Sequence, residues 1–357
     1  MGEVESGAAL LRTRRHRQDR ISKHEDPNEI IARVKGERFR EYRRRFEASG
    51  RGEIELDYPL DLSIETIDYC NYACPYCPRV LDRGDGTRID DAVFERLVDE
   101  FAEGTGGLGA IGFDSGEPLL DKTLERKIAY VSAKGICDII VTTNAAFLTP
   151  DRGRRLIEAG VTKLHVSIDA NTQETYTKTR GGVLADVENN VREFMRIRAE
   201  MGSLLPIVRC SFVKSELNAH EMEAFAEKWA PLVDYVEFQD CIDHSRLDTL
   251  YDYEVEPFWC HYPFQSVSIN AKGEIRPCCS FYNQHLVFGR VSDGDTIGGV
   301  FGGKQQAELR RQFREKRDFD IVCRNCRVAP PASFGIESRP LLQPAALPAK
   351  GKPPGRK

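Results

Sequence analysis

Eleven cysteines occupy this chain, and seven of them fall into three tight or paired spacings. Cys70-Asn-Tyr-Ala-Cys74-Pro-Tyr-Cys77 places three thiols within eight residues. Cysteine thiolates are the usual protein ligands of a four-iron cluster. Three of them wrap one face and leave one iron without a protein ligand, the open position that a metal needs to bind and activate a substrate. A structural zinc site is the alternative, and it would want a fourth ligand.

The remaining four are Cys260 and Cys278, which flank Gly273, followed by Cys323-Arg-Asn-Cys326. Four thiolates ligate a four-iron cluster completely. A zinc ribbon has the same ligand count and compatible spacing. Disulfides fit poorly, because the cysteine count is odd and the N-terminal residues show no apolar core of a signal peptide.

Further motifs stand at the ends of short apolar runs: Gly112-Phe-Asp-Ser115-Gly116-Glu117-Pro118, Thr142-Thr143-Asn144, Ser167-Ile-Asp169 and Arg180-Gly181-Gly182. With the cysteine signature Cys-x3-Cys-x-aromatic-Cys on the loop after the first strand, their order resembles that of the radical S-adenosylmethionine (SAM) superfamily. The resemblance implies that Cys70, Cys74 and Cys77 hold a [4Fe–4S] cluster whose open iron chelates SAM. One electron then cleaves the sulfonium to a 5′-deoxyadenosyl radical, which abstracts hydrogen from substrate. It implies cofactor contacts from Tyr76, near the adenine, from Ser115, Gly116, Glu117 and Pro118, from Asn144, from Ser167 and Asp169, and from Arg180 with the SAM carboxylate, which suits the paired donors of a guanidinium.

The C-terminal cysteines resemble the twitch module, a shortened SPASM domain. Cys260, Cys278, Cys323 and Cys326 would hold a second [4Fe–4S] cluster. Their spacing is similar to that of the radical SAM dehydrogenase of an aminocyclitol, 2-deoxy-scyllo-inosamine, and the same group contains sugar epimerases. The implied reaction is epimerisation or oxidation of a sugar- or cyclitol-like small molecule, of the kind met in natural product biosynthesis, with dehydration or decarboxylation as variants. Flavodoxin or ferredoxin would supply the electron. Cys279 is the candidate hydrogen donor to a substrate radical and Cys241 the second choice, whereas Cys137 and Cys210 read as core residues. The rival readings are a peptide-modifying radical SAM maturase and a non-catalytic zinc-binding protein.

These residues need a scaffold. Candidate strands lie at Leu62–Ile67, Leu108–Phe113, Asp138–Thr142, Lys163–Ile168, Ile207–Val213 and Tyr235–Phe238, with helices near 90–103, 121–134, 150–159, 185–200 and 218–229. Six strands alternating with helices predict an α/β fold with a parallel sheet, here a partial (βα)6 TIM-like barrel followed by a small C-terminal Fe–S module. The expected divisions are 1–60, a basic extension with one helix from Asp26 to about Ala48; 61–240, the radical SAM domain; 241–328, the auxiliary module with a hairpin at 266–276 and a helix near 304–316; and 329–357, a disordered proline-rich tail. Residues 1–26, rich in arginine, read as loosely attached. A net charge of −5 gives no electrostatic reason to expect nucleic acid. No apolar run reaches the length of a membrane span, and the chain reads as cytoplasmic.

Overall fold

The computed structural model describes residues 11–15, 18–22, 26–77, 79, 84–241, 250–278 and 284–328. A hairpin of β1 (Leu11–Arg15) and β2 (Gln18–Ser22) is followed by helices α1 (Pro27–Lys35) and α2 (Glu37–Gly50). Strands and helices then alternate: β3 (Asp61–Ile64), α3 (Asp91–Thr105), β4 (Ala110–Phe113), α4 (Leu124–Ala133), β5 (Asp138–Thr143), α5 (Pro150–Ala159) and β6 (Lys163–Ser167). Helices α6 (Gln173–Thr179) and α7 (Leu184–Glu200) precede β7 (Ile207–Lys214), α8 (Met222–Trp229) and β8 (Tyr235–Asp240). The last part holds α9 (Tyr262–Gln265), β9 (Ser266–Ile269), β10 (Glu274–Arg276), β11 (Gly289–Arg290), α10 (Ile297–Phe301), α11 (Lys304–Glu315) and α12 (Ile321–Val328).

Strands β3 to β8 pair in parallel in chain order, as the alternation of strands and helices predicts. Side chains alternate between two faces. One face is sealed under the helices: Phe225 of α8 meets Phe212 and Phe238 with ring centroids 4.9 and 6.2 Å apart, and Phe94 of α3 meets Phe113. On the other face Thr142, His165, Ser167 and Arg209 are only partly buried. Helix starts are set by local chemistry: the Asp90 side chain accepts from the amides of Ala92 and Val93, and Thr149 with Pro150 opens α5.

Both ends of the six-stranded sheet are paired with other segments. Outside β8 lies β2, antiparallel, with Arg20 opposite Glu237; outside β3 lies β9, parallel, with Asp61 opposite Ser266. Two expectations are corrected here. Residues 11–15 and 18–22 form strands on the sheet instead of a loose arm, because the outer edge of β8 offers an unpaired ladder that β2 completes. The single helix expected over 26–48 is two, separated at Gly36, whose φ of 77° no helix interior accommodates. The hairpin expected at 266–276 is present as β9 and β10, and β9 continues the sheet beyond β3. The proline-rich segment 329–357 lies outside the described residues. No helix among the described residues is long and apolar enough to cross a membrane.

Candidate active site

The three-cysteine loop leaves the carboxyl end of β3, the edge at which parallel α/β folds place their chemistry. Its entry is pinned by Glu65, whose carboxylate accepts from the Ala271 amide and pairs with Arg79. Within the loop the Cys77 amide donates to the Cys74 carbonyl at 3.0 Å. Cys74 is buried, and Cys70 and Cys77 are partly so.

The segment after β4 closes on this loop. Glu117 N donates to Tyr69 O at 2.9 Å, and Gly116 has a φ of 58° with its Cα against Ile67, where a Cβ would stand 2.4 Å from the carbonyl oxygen. Only glycine fits that approach. The Glu117 carboxylate is buried and accepts from Thr143 Oγ1 at 2.6 Å, the Asn144 amide at 2.8 Å and the Leu119 amide at 3.0 Å. It therefore ties the ends of β4 and β5 together. Asn144 in turn donates from Nδ2 to Asn71 Oδ1 at 2.9 Å and stands 4.0 Å from Cys70 Sγ.

A second tie comes from β6. Asp169 follows it with a φ of 64° and no exposed surface. Its Oδ1 accepts from the Val213 amide at 2.8 Å, and its Oδ2 receives the Tyr76 hydroxyl and an ion pair from Arg180. Arg180 Nη1 stands 3.6 Å from Cys74 Sγ, and its guanidinium lies 5.8 Å from the centroid of the Tyr76 ring. Ser115 also has a positive φ, 63°, so two strained non-glycine residues flank the cysteine loop.

The structure thus joins Cys70, Cys74, Cys77, Tyr76, Glu117, Asn144, Asp169 and Arg180 in one contiguous network at the carboxyl edge of the sheet. Ser115 and Gly116 sit in the turn before Glu117, and Pro118 starts a short turn over 118–120. Ser167 is on the partly accessible face, opposite Ser211 in register. Asp169 was expected among the cofactor contacts; here both of its oxygens are engaged by the chain itself, so its contribution is to hold Tyr76 and Arg180. Sequence reading missed Tyr72, which packs edge-on to Tyr176 at 6.3 Å and whose hydroxyl fills the space where a Cβ on Gly182 would lie, 2.2 Å away. The Arg180-Gly181-Gly182 run was the available signal.

The donor set fits an iron–sulfur cluster with SAM. Two donor-bearing side chains, Asn144 and Arg180, stand at the sulfurs of the cysteine loop, and Arg180 Nε is buried with no partner in the chain. Burial pushes the Cys77 thiol up to about 12 and raises Cys70 and Cys74 as well. Cluster binding therefore has to release protons from these thiols.

A separate cavity of about 110 Å³ is lined by Cys260, Cys278, Cys323 and Cys326 with apolar walls from Phe258, Leu309 and Phe313. Cys323 and Cys326, three residues apart on α12, share a helix face. Burial pushes Cys260 up to about 12. Among the described residues no group of three or more His, Cys, Asp or Glu converges as ligands of a single ion do. The four thiols are distributed round a cavity wall instead. Cys241 is buried just beyond β8, its amide donating to Lys214 O at 3.2 Å, while Cys279 lies outside the described residues. Cys137 and Cys210 are buried core residues, as expected.

Thiols presented at the carboxyl edge of a parallel sheet, and again in an apolar cavity beyond it, define the class of protein: an α/β fold built round iron–sulfur chemistry. Comparison supplies the family. Residues 64–207 match the radical SAM superfamily and residues 260–327 match SPASM, an iron–sulfur cluster-binding domain, so the chain carries a radical SAM domain followed by a SPASM domain. These domains imply SAM and [4Fe–4S] clusters, an auxiliary cluster included. Among curated relatives, the GTP 3',8-cyclase of Pelotomaculum thermopropionicum is 33% identical over 175 residues, 47% of this chain and 51% of the relative. The chain thus spans about half the length of the curated relatives it matches. Among solved structures, anSMEcpe with bound AdoMet is 17% identical with a TM-score of 0.56, covering 75% of this chain and 89% of the other. Streptococcus suis SuiB bound to S-adenosylmethionine is 15% identical with a TM-score of 0.53, covering 75% and 71%. These likenesses are of fold.

Proposed function

We propose that this radical SAM enzyme abstracts hydrogen from a sugar-bearing small molecule and completes an epimerisation or an oxidation. In this reading Cys70, Cys74 and Cys77 hold the SAM-binding cluster of a domain spanning 61–240, and Cys260, Cys278, Cys323 and Cys326 hold the auxiliary cluster of a module spanning 241–328. The supporting observation is the placement of Arg180: largely buried, paired with Asp169, in reach of Cys74 and with a buried, unpartnered Nε. When bound, the reduced cluster and SAM supply a 5′-deoxyadenosyl radical.

The chain's own residues carry the rest. Asp169 fixes the Arg180 guanidinium, leaving Nε–H to receive the SAM carboxylate. Tyr76, held through its hydroxyl by Asp169, offers its ring face beside the cofactor. Glu117 holds the Asn144 amide in place so that Nδ2 stays turned to the cysteine loop. Cys74, Tyr76, Glu117 and Asp169 are buried, which keeps water from the residues that would hold the cluster and SAM.

The two outcomes differ in the fate of the substrate radical, which either gains a hydrogen atom or loses an electron. Epimerisation needs a second hydrogen donor, for which Cys279 is the first candidate and Cys241 the second. Anaerobic incubation with a flavodoxin or ferredoxin reductant, SAM and candidate sugars in deuterated water separates them by product mass. Deuterium at an inverted carbon supports a thiol donor, and a product two hydrogens lighter supports oxidation. Absence of 5′-deoxyadenosine under reducing conditions would remove the enzyme reading. A second reading, cyclisation of GTP, is supported by the relatives of that name, and GTP is included among the candidates. GTP too carries a sugar.

A further inference from the structure

We infer that the open face of the sheet carries an anion site, built from His165, Arg209 and Arg20, that holds a phosphate or carboxylate group of the substrate. This rests on the small-molecule reading given above. Thr142, His165 and Arg209 are register partners on β5, β6 and β7, so their side chains form a row on the face opposite helices α3 to α8. All three are partly accessible there, while Val141, Leu164, Val166, Val208 and Cys210 on the helix side are sealed.

Charge in this row is unbalanced. Glu237 has no exposed side-chain surface and is shared by two guanidiniums: Arg209 Nη1 reaches Oε1 at 2.6 Å and Arg20 Nε reaches Oε2 at 2.8 Å. Gln239 Nε2 donates to Oε1 as well, at 2.7 Å. Lys163 is matched by Asp138. Glu237 is the carboxylate that both guanidiniums contact directly, with Asp26 acting on Arg20 from further off. Two buried polar atoms point the same way, since Arg209 Nε and His165 Nε2 find no hydrogen-bond partner in the chain. An unmet buried donor costs about 1–3 kcal/mol, so an incoming anion that satisfies it is favoured. Burial, then the nearby Arg209, Lys163 and Arg20, hold the His165 imidazole far below its usual range, so it stands neutral among cations.

The location suits a substrate group. His165 lies two residues before the end of β6 and four before Asp169, a separation of at most roughly 13 Å. An anion held at His165 would place the body of a small molecule between it and the cysteine loop. Arginine is suited to either ligand because its fork matches both phosphate and carboxylate.

The test is thermal unfolding of the reconstituted, SAM-loaded protein with inorganic phosphate, acetate or neutral inositol, each against chloride at equal ionic strength. Phosphate or acetate should raise the midpoint by about 2–4 °C, and inositol should not. A response to phosphate alone assigns a phosphoryl group, and a response to acetate alone a carboxylate. Arg209→Gln and His165→Phe should each abolish the response; where the first fails to fold, the second decides. Equal stabilisation by inositol, no response to either anion, or a wild-type response in folded variants overturns the site. Formation of 5′-deoxyadenosine is scored separately, so a protein that binds phosphate through Arg209 but never cleaves SAM refutes the enzyme reading and leaves the site standing.

Discussion

Asp169, which is fully buried, and Arg180, which is largely so, form an ion pair across helix α6, and the same carboxylate oxygen that meets the guanidinium also receives the Tyr76 hydroxyl. One side chain thereby positions both an aromatic ring of the cysteine loop and the cation beside Cys74.

Replacing Asp169 with asparagine separates its charge from its backbone, because asparagine tolerates the left-handed conformation. The Arg180 charge would be left buried without a partner, a loss of about 3–5 kcal/mol. Urea unfolding should show it, and SAM affinity measured by calorimetry should fall. Unchanged stability would mean that Arg180 has another counter-charge.

Removing Cys70, Cys74 and Cys77 together should abolish 5′-deoxyadenosine formation and lower the iron content from about eight to about four per chain. Removing Cys260, Cys278, Cys323 and Cys326 should also leave about four irons, but with SAM cleavage retained. Iron and sulfide assays with a SAM-cleavage assay check both, and zinc in the parent protein would sink the auxiliary-cluster assignment.

Stability should depend on pH through Asp61. Burial, with Asp114 and Asp138 close by, pushes its carboxyl from 3.8 up to about 6. The native state then holds this proton more tightly than the unfolded chain, so the contribution is present below pH 4 and lost as pH rises towards 6. Asp61→Asn should be more stable than wild type by up to about 3 kcal/mol above pH 7, the difference shrinking as pH falls towards 4. Urea midpoints at several pH values decide it; a constant difference would place the cause outside titration.

Gly182→Ala should destabilise by about 1–3 kcal/mol, because the added methyl meets the Tyr72 hydroxyl. Tyr72→Phe removes that oxygen, so the double variant should recover part of the loss. Additive losses in the cycle would show that the two residues do not press on one another.

Much of this was legible from local pattern. Six apolar runs spaced by helical ones located the parallel strands, and cysteine spacing located both sets of thiols. The Asp169–Arg180 pair was not legible, since nothing in two residues on either side of a helix says that they meet. The β1–β2 hairpin was hidden by its arginines, which are poor strand formers and read as a solvated arm. The hairpin near Gly273 was visible, but a hairpin motif carries no information on which distant edge it will join.

That last pairing bears on how the chain is made. Ser266 meets Asp61 across 205 residues of sequence, so the outer ladder of β3 has no partner until the auxiliary module has left the ribosome. Long-range parallel pairing is slow, and an unpaired edge invites association with other chains. Throughout most of its synthesis the nascent protein therefore presents a bare strand directly before the three-cysteine loop, and that loop is anchored on a sheet whose edge is completed late.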